Sequence, residues 1–316
     1  MLEKLLSICD NRFRNNCYFT CINCNYSGNC PRNEQDCEKC LINVHYPESV
    51  PEDAPPRKYD CQKMADFYVG RFSYRFTSEM IYALSCLKDI WNSNLIKILS
   101  FGCGPCTDLL ALDSLKKNNV LNYSNLEYRG LEYNESVWQN IHEDIKTISP
   151  KGTRIEFIYE DVCEYIKKIS PDALMPGWIP DWIPDLVIFQ YFFSDLHKNS
   201  KPEHISGFLE AFARFSNLYM PPKSYIVLND INLGMDYNGG RDYFDKLKHL
   251  LNNCGSRKGR FRDDNTKSDY YPNGYPYGED SDGEFPDNSI PFDIQRYPRY
   301  SPKQTCASAR MIIKRR

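Results

Sequence analysis

Residues 96–109 read IKILSFGCGPCTDL. The first six, IKILSF (96–101), have strand character and run straight into a glycine turn; a helix-compatible stretch opens near Thr107. Gly102 and Gly104 can take backbone conformations closed to other residues, and without side chains they let a ligand approach the main chain. The N–H groups that open the following helix have no intrahelical partner and suit a carboxylate or phosphate. Strand, glycine turn and helix in this order begin a βαβ unit, and so predict a parallel sheet.

The same alternation continues outward. EYRGLEY (127–133), RIEFIY (154–159), DLVIFQ (185–190) and SYIVLND (224–230) read as further strands, with helical stretches near 107–118, 135–148, 162–169, 201–216 and 240–252. Upstream, Met64, Phe67, Tyr68, Phe72, Phe76, Met80, Leu84 and Leu87 recur at helical spacing, which predicts one or two amphipathic helices over 61–91. Downstream, IPFDIQRY (290–297) and CASARMIIKR (306–315) are candidate strands. Between them and the last helix lies a polar stretch, 257–288, too long for an idle loop; it reads as a disordered insertion or a substrate-facing flap. In a sheet of this kind ligands bind beyond the C-terminal strand ends, where the strand order reverses.

Two phosphate-binding fingerprints fail here. The dinucleotide pattern GxGxxG needs a glycine or alanine at 107, where Thr107 stands, and no GKS or GKT follows to make a P-loop. The stretch resembles instead motif I of class I S-adenosylmethionine-dependent methyltransferases, and the resemblance runs over about residues 96–316. It implies an α/β fold, doubly wound, with a mostly parallel seven-stranded sheet whose last strand is antiparallel. It also implies site residues. Gly102, Cys103 and Gly104 match the loop beneath the methionine part of the cofactor, and Glu132 in RGLEYN matches the acid that accepts both ribose hydroxyls. Asp161 and Val162, in YEDV, match the residues beside the adenine amino group and ring; FQYFFSD (189–195), with Gln190, matches the motif where methyl meets acceptor. Two positions depart from the family: Ser100 stands where motif I usually begins with an acid, and Cys106 where a third glycine often lies. Asp108, in the first helical turn, is placed to compensate.

Methyl transfer is a displacement at a sulfonium, so alignment and exclusion of water do most of the work, with a base needed only if the acceptor must lose a proton. Candidates beside the fourth and fifth strands are Tyr191, Asp195, His197 and Asp230. Each has a plainer reading: His197 as a surface residue in a polar loop, Asp195 as a helix cap, Asp230 as a turn residue. Tyr68, Arg71 and Tyr74 precede the first strand, where the family often lays a lid over the cofactor. The acceptor is not legible. QYFF stands where amino-methyltransferases of DNA bases carry [DNS]PP[YFW], which favours a small molecule, RNA or protein. Basic residues between Arg241 and Arg262 are diluted by Asp242, Asp245 and Asp263, and read as a solvated helix face.

The whole chain has 316 residues, 41% hydrophobic and 26% charged, the mix of a soluble globular protein. Its net charge of −3 supplies no global field for nucleic acid or an anionic membrane. No run of about 18 apolar residues exists to span a membrane. The start, MLEKLLSICDNRFRNN, is not a secretory signal, so the expected location is cytoplasmic.

Seven of the fourteen cysteines fall in the first 40 residues. Cys21/Cys24 and Cys37/Cys40 are CxxC pairs able to complete a tetrahedral zinc site, and Cys17, Cys30, Cys9 and His45 are enough for a second. Zinc, an iron–sulfur cluster and disulfides all remain open for this head. Some sixty polar, Pro-rich residues cannot build a core without such help. The expected organisation is therefore a Cys-rich module with a Pro-rich linker over 1–60, a helical lead-in or lid over 61–95, and a methyltransferase-like domain over 96–316. With seven Lys/Arg against nine Asp/Glu in residues 1–60, the head suits a scaffold or a protein contact better than a phosphate grip, with RNA as the alternative contact.

Two rival functions are also compatible with the sequence. One is a catalytically degenerate methyltransferase fold acting as a binding module. The other is a radical S-adenosylmethionine enzyme, because Cys17, Cys21 and Cys24 have the CxxxCxxC spacing by which that family holds its cluster. Cys86, Cys163, Cys254 and Cys306 read as small core residues.

Overall fold

The computed structural model describes residues 1–14, 44, 59, 61–87, 90–91, 93–169, 180–253, 261–263, 283–284, 305–306 and 308–316. Cys17, Cys21, Cys24, Cys30, Cys37, Cys40 and His45 lie outside the described residues, as do the candidate strand 290–297 and nearly all of 257–288. The described residues fall into two compact units, one drawn from 1–76 and 134–149, the other from 77–133, from 150–263 and from the C-terminal strands.

In the smaller unit the N-terminal residues, grouped by sequence with the Cys-rich head, form α1 (Leu2–Arg14) and pack against α4 (Glu135–Ile148). Arg12 joins the unit together: it donates to both carboxylate oxygens of Asp66, at 2.7 and 2.6 Å, and to Asp144 at 2.8 Å. Asp66 lies on α2 (Gln62–Ser85), a single helix where one or two were expected. Cys9, a spare metal ligand by spacing, is wholly buried on α1. Tyr68, a candidate lid residue, packs in a ring cluster with Phe72, Phe76 and Trp138.

The larger unit is built on β1 (Leu95–Phe101), β2 (Asn125–Glu132), β3 (Thr153–Tyr159), β4 (Leu186–Gln190) and β5 (Tyr225–Ile231), all parallel. Its helices are α3 (Thr107–Lys117), α5 (Val162–Ile169), α6 (Phe192–Asn199), α7 (Pro202–Tyr219) and α8 (Asp242–Asn253). The sheet closes with β6 (Phe261–Asp263) and β9 (Ser308–Arg315), giving the order β3-β2-β1-β4-β5-β9-β6. β9 runs antiparallel to both neighbours. A short pair, β7 (Gly283–Glu284) and β8 (Thr305–Cys306), stands apart from this sheet.

Seven strands, parallel but for one inserted beside the edge, make the Rossmann-like arrangement of class I methyltransferases. Between β3 and β4 the chain crosses β1, so the direction of winding reverses between β1 and β4, and a crevice must open at their C-terminal ends. A radical S-adenosylmethionine barrel is not what these strands build, because among the described residues the sheet is open at β3 and β6.

Two elements and one cysteine differ from expectation. FFSDLHKN, read as a strand-end motif running into a polar loop, is helix α6. β6 forms inside the stretch read as an insertion and takes the edge position beside β9, a strand partner expected at 290–297. Cys86, read as a core residue, is only half-buried, whereas Cys163 is 1% exposed.

β4 is buried at its first four positions, as a central parallel strand between two helical layers must be. Phe101 and Phe189 stack across β1 and β4 at 4.8 Å, and Phe208 and Phe212 of α7 meet Phe101 edge-on. Each such ring contributes about 1.5–3 kcal/mol of burial to this core.

Candidate functional site

The glycine turn leaves β1 with positive φ at Gly102 (61°) and Gly104 (43°), the conformations the sequence required of them. Cys106 follows at φ 54°, ψ 46° and precedes α3. A residue with a side chain thus holds the left-handed conformation that a third glycine would take, at a cost of about 1–2 kcal/mol. The turn is tied down by Cys103 N–H donating to Leu131 O at 2.9 Å and Cys106 N–H to Cys103 O at 2.7 Å. Cys103 itself is buried against β2, where Gly130 leaves room for its sulfur. Burial pushes both thiols above their ordinary range.

Glu132 ends β2 beside this turn. One carboxylate oxygen accepts the Gly104 N–H at 3.1 Å and the other the Tyr133 N–H at 2.9 Å, and the side chain is half-buried at the crevice. A carboxylate accepts about four hydrogen bonds, enough for two backbone donors and a vicinal diol together. Across the switch point, the Thr107 hydroxyl donates to Gln190 Oε1 at 2.6 Å, linking the start of α3 to the end of β4.

Asp108 is almost wholly enclosed. Its Oδ1 accepts the Tyr128 hydroxyl at 2.9 Å and the Leu109 N–H at 2.8 Å, while Oδ2 has no hydrogen-bond partner among the described residues. Burial raises its pKa, opposed by hydrogen bonds that begin with Ser100. Asp108 thus stands against the Ser100 side chain.

Asp161 caps α5, accepting the N–H groups of Cys163 and Glu164 on Oδ1 at 2.9 and 3.2 Å. Val162 is 8% exposed beside it. The four candidate bases meet different fates. Asp230 accepts the N–H groups of Phe193 and Ser194 on Oδ2, at 2.8 and 3.0 Å, and so caps α6 from β5. His197 Nδ1 lies 2.7 Å from the Tyr243 hydroxyl of α8, and Asp195 is an exposed residue of α6 that accepts from Asn199. Tyr191 stands at the strand end itself, left-handed at φ 55°, ψ 27°.

Tyr191 leads to a residue that sequence reading missed. Its hydroxyl lies 2.9 and 2.8 Å from the two carboxylate oxygens of Glu79, which also accepts the Asn229 amide at 2.8 Å. Glu79 is fully buried on α2, and Arg310 of β9, opposite Asn229 in register, stacks on Tyr82 one turn further along that helix. A charged cluster thus lies at the C-terminal ends of β4 and β5. The only hint in the sequence was an acid among apolar residues on a helix.

No protein-family model matches this sequence, and no curated protein matches it either. Among solved structures, the plantazolicin methyltransferase BpumL in complex with S-adenosylhomocysteine is 14% identical over 90% of this chain and 99% of its own, with a TM-score of 0.43. The N-methyltransferase NodS from Bradyrhizobium japonicum WM9 is 7% identical over 88% of this chain and 97% of its own, with a TM-score of 0.41. A SAM-dependent methyltransferase from Methanosarcina mazei is 17% identical over 45% of this chain, with a TM-score of 0.29; this chain spans 55% of that protein's length.

Proposed function

We propose that the protein is an S-adenosylmethionine-dependent methyltransferase that holds its cofactor over the glycine turn, at the switch point between β1 and β4. The observation that carries this reading is Glu132, a half-buried carboxylate at the end of β2 that accepts the N–H of Gly104 from the adjacent turn. An acid in that place can receive two ribose hydroxyls while the side-chain-free turn admits the rest of the ligand. Bound S-adenosylmethionine would supply an electrophilic methyl group for in-line displacement by a nucleophile.

This chain's own residues align and enclose. Gly102, Cys103 and Gly104 present backbone to the ligand, Gln190 closes the crevice from β4, and Asp161 with Val162 borders its adenine end. Ser100 and the enclosed Asp108 support the turn from below. Tyr191, held by Glu79, is the candidate at the acceptor end; Asp230, His197 and Asp195 serve α6 and its neighbours instead. For the N-terminal head, the spacing of Cys21, Cys24, Cys37 and Cys40 supports a structural zinc ion. Small molecules, RNA and proteins are the acceptor classes the absence of a [DNS]PP[YFW] motif favours. Among the described residues, no helix is long and apolar enough to cross a membrane.

The test is calorimetric titration with S-adenosylhomocysteine of wild type, Glu132→Ala and Gly104→Arg. Binding by wild type and its loss in both variants is expected. A folded wild-type protein that does not bind would overturn the proposal in favour of a binding module on the same fold.

A further inference from the structure

We propose that Asp161, Cys163 and His204 form a site for one zinc-type transition-metal cation, distinct from the cysteines of the N-terminal head. A carboxylate oxygen, the thiol sulfur and an imidazole nitrogen from these residues all lie within 4.8 Å of one another. His204 Nε2 is 3.6 Å from Asp161 Oδ1, and Cys163 Sγ is 3.7 Å from the His204 carbonyl oxygen. Ligands around a tetrahedral zinc ion stand roughly 3.5 Å apart, given bonds of about 2.0–2.3 Å, so side-chain displacements on the order of 1 Å complete the set.

Two rigid elements hold the three groups. Asp161 and Cys163 sit at the head of α5, locked by the capping bonds from Cys163 and Glu164. His204 belongs to the first turn of α7, and its N–H donates to Lys201 O at 3.0 Å. The two helices pack through Cys163 and Ile166 on one and Ile205, Phe208 and Leu209 on the other, all within one core. Cys163 forms a buried floor, while the side chains of Asp161 and His204 are 34% and 40% exposed, which leaves a mouth for the ion.

The chemistry and the surrounding charge agree with this assignment. Oxygen, nitrogen and sulfur donors together suit a borderline cation such as zinc, and exclude magnesium and calcium as preferred occupants. The neighbouring lysines are engaged elsewhere, Lys167 with Glu164 at 2.7 Å and Lys168 with Glu160. Coordination would release the Cys163 proton to solvent and leave a fourth position for water. Asp161 also borders the adenine end in the proposed function, so metal binding is measured without cofactor and its outcome is separate from that reading.

The experiment compares zinc binding by full-length wild type, Cys163→Ser and His204→Ala, in reducing buffer, by competition with a chromophoric zinc chelator and by elemental analysis after desalting. Each variant is expected to lose one equivalent, its affinity falling by more than about 100-fold, the upper end of what outer-shell losses cost. Cobalt substitution should show a thiolate-to-cobalt charge-transfer increment in wild type that Cys163→Ser lacks. Because His204 is partly exposed, its variant is informative even if Cys163→Ser fails to fold. Full zinc retention by His204→Ala at unchanged affinity overturns the proposal.

Discussion

Replacing Gly130 by alanine tests how the glycine turn is seated. Gly130 lies on β2, and a Cβ added there would stand 2.7 Å from Cys103 Sγ and 3.0 Å from both Phe157 Cδ1 and Tyr128 Cε1. Carbon and sulfur normally meet about 1 Å further apart, on the scale of ordinary non-bonded separations. Two of the three neighbours are held in place: Cys103 is 6% exposed and pinned through its N–H to Leu131 O, and Tyr128 is bonded to Asp108. Overpacking of this kind costs about 1–3 kcal/mol. At this size of unit that lowers Tm by roughly 2–4 °C per kcal/mol. If Gly130 were an ordinary strand glycine, alanine would stabilise by about 0.4–1 kcal/mol through the unfolded chain, so the sign of the change decides. Urea denaturation of Gly130→Ala, Cys103→Ala and the double variant supplies the readout. Removing the sulfur should restore part of the loss, leaving a coupling energy of about 1 kcal/mol, as for residues in contact. Equal stability of Gly130→Ala and wild type would refute the reasoning.

Three further outcomes are expected. Tyr191→Phe removes a donor from the buried Glu79 and should cost about 1–3 kcal/mol in urea denaturation, with Glu79→Gln in the same range and the pair clearly non-additive. Burial pushes Asp230 up to about 6 against the pull of its N–H donors. Its folded pKa exceeds the unfolded value near 3.9, so its contribution is fully present below about pH 4, is lost as pH rises to about 6, and is flat above. Subtracting the pH–stability profile of Asp230→Asn from that of wild type should isolate this decline, and a rising difference would contradict it. Arg12→Met removes both guanidinium bonds to Asp66, which is 1% exposed, and should destabilise the protein by about 3–5 kcal/mol in thermal or urea unfolding.

The sheet was legible because local composition carries it. Strands buried on both faces, such as LVIFQ, read as short apolar runs, and the glycine turn sits where a positive φ is needed. α6 was missed because eight residues give barely two turns of periodicity, and their capping acid, Asp230, comes from another strand 36–37 residues away. β6, three residues in a polar stretch, is a strand only because β9 pairs with it.

The candidate site divides in the same way. Gly102, Gly104, Glu132 and Asp161 stand at strand ends, where their neighbours in sequence mark the place. The roles of Gly130 and Glu79 depend on partners brought close by the fold: Cys103, in the turn after the neighbouring strand, for the first, and Tyr191 and Asn229, more than a hundred residues away, for the second. No local pattern encodes such pairs. Asp230 and His197 sit beside the fourth and fifth strands as expected, yet their side chains turn to α6 and α8, a direction that only packing determines.

The central claim is that adenosine lies at the β1–β4 switch point, gripped by Glu132. A diffraction structure of the full chain with S-adenosylhomocysteine tests it most directly. The account predicts both ribose hydroxyls within hydrogen-bonding distance of the Glu132 carboxylate, with the adenine beside Asp161 and Val162. Nucleoside density elsewhere, with Glu132 still bonded only to protein, would contradict it.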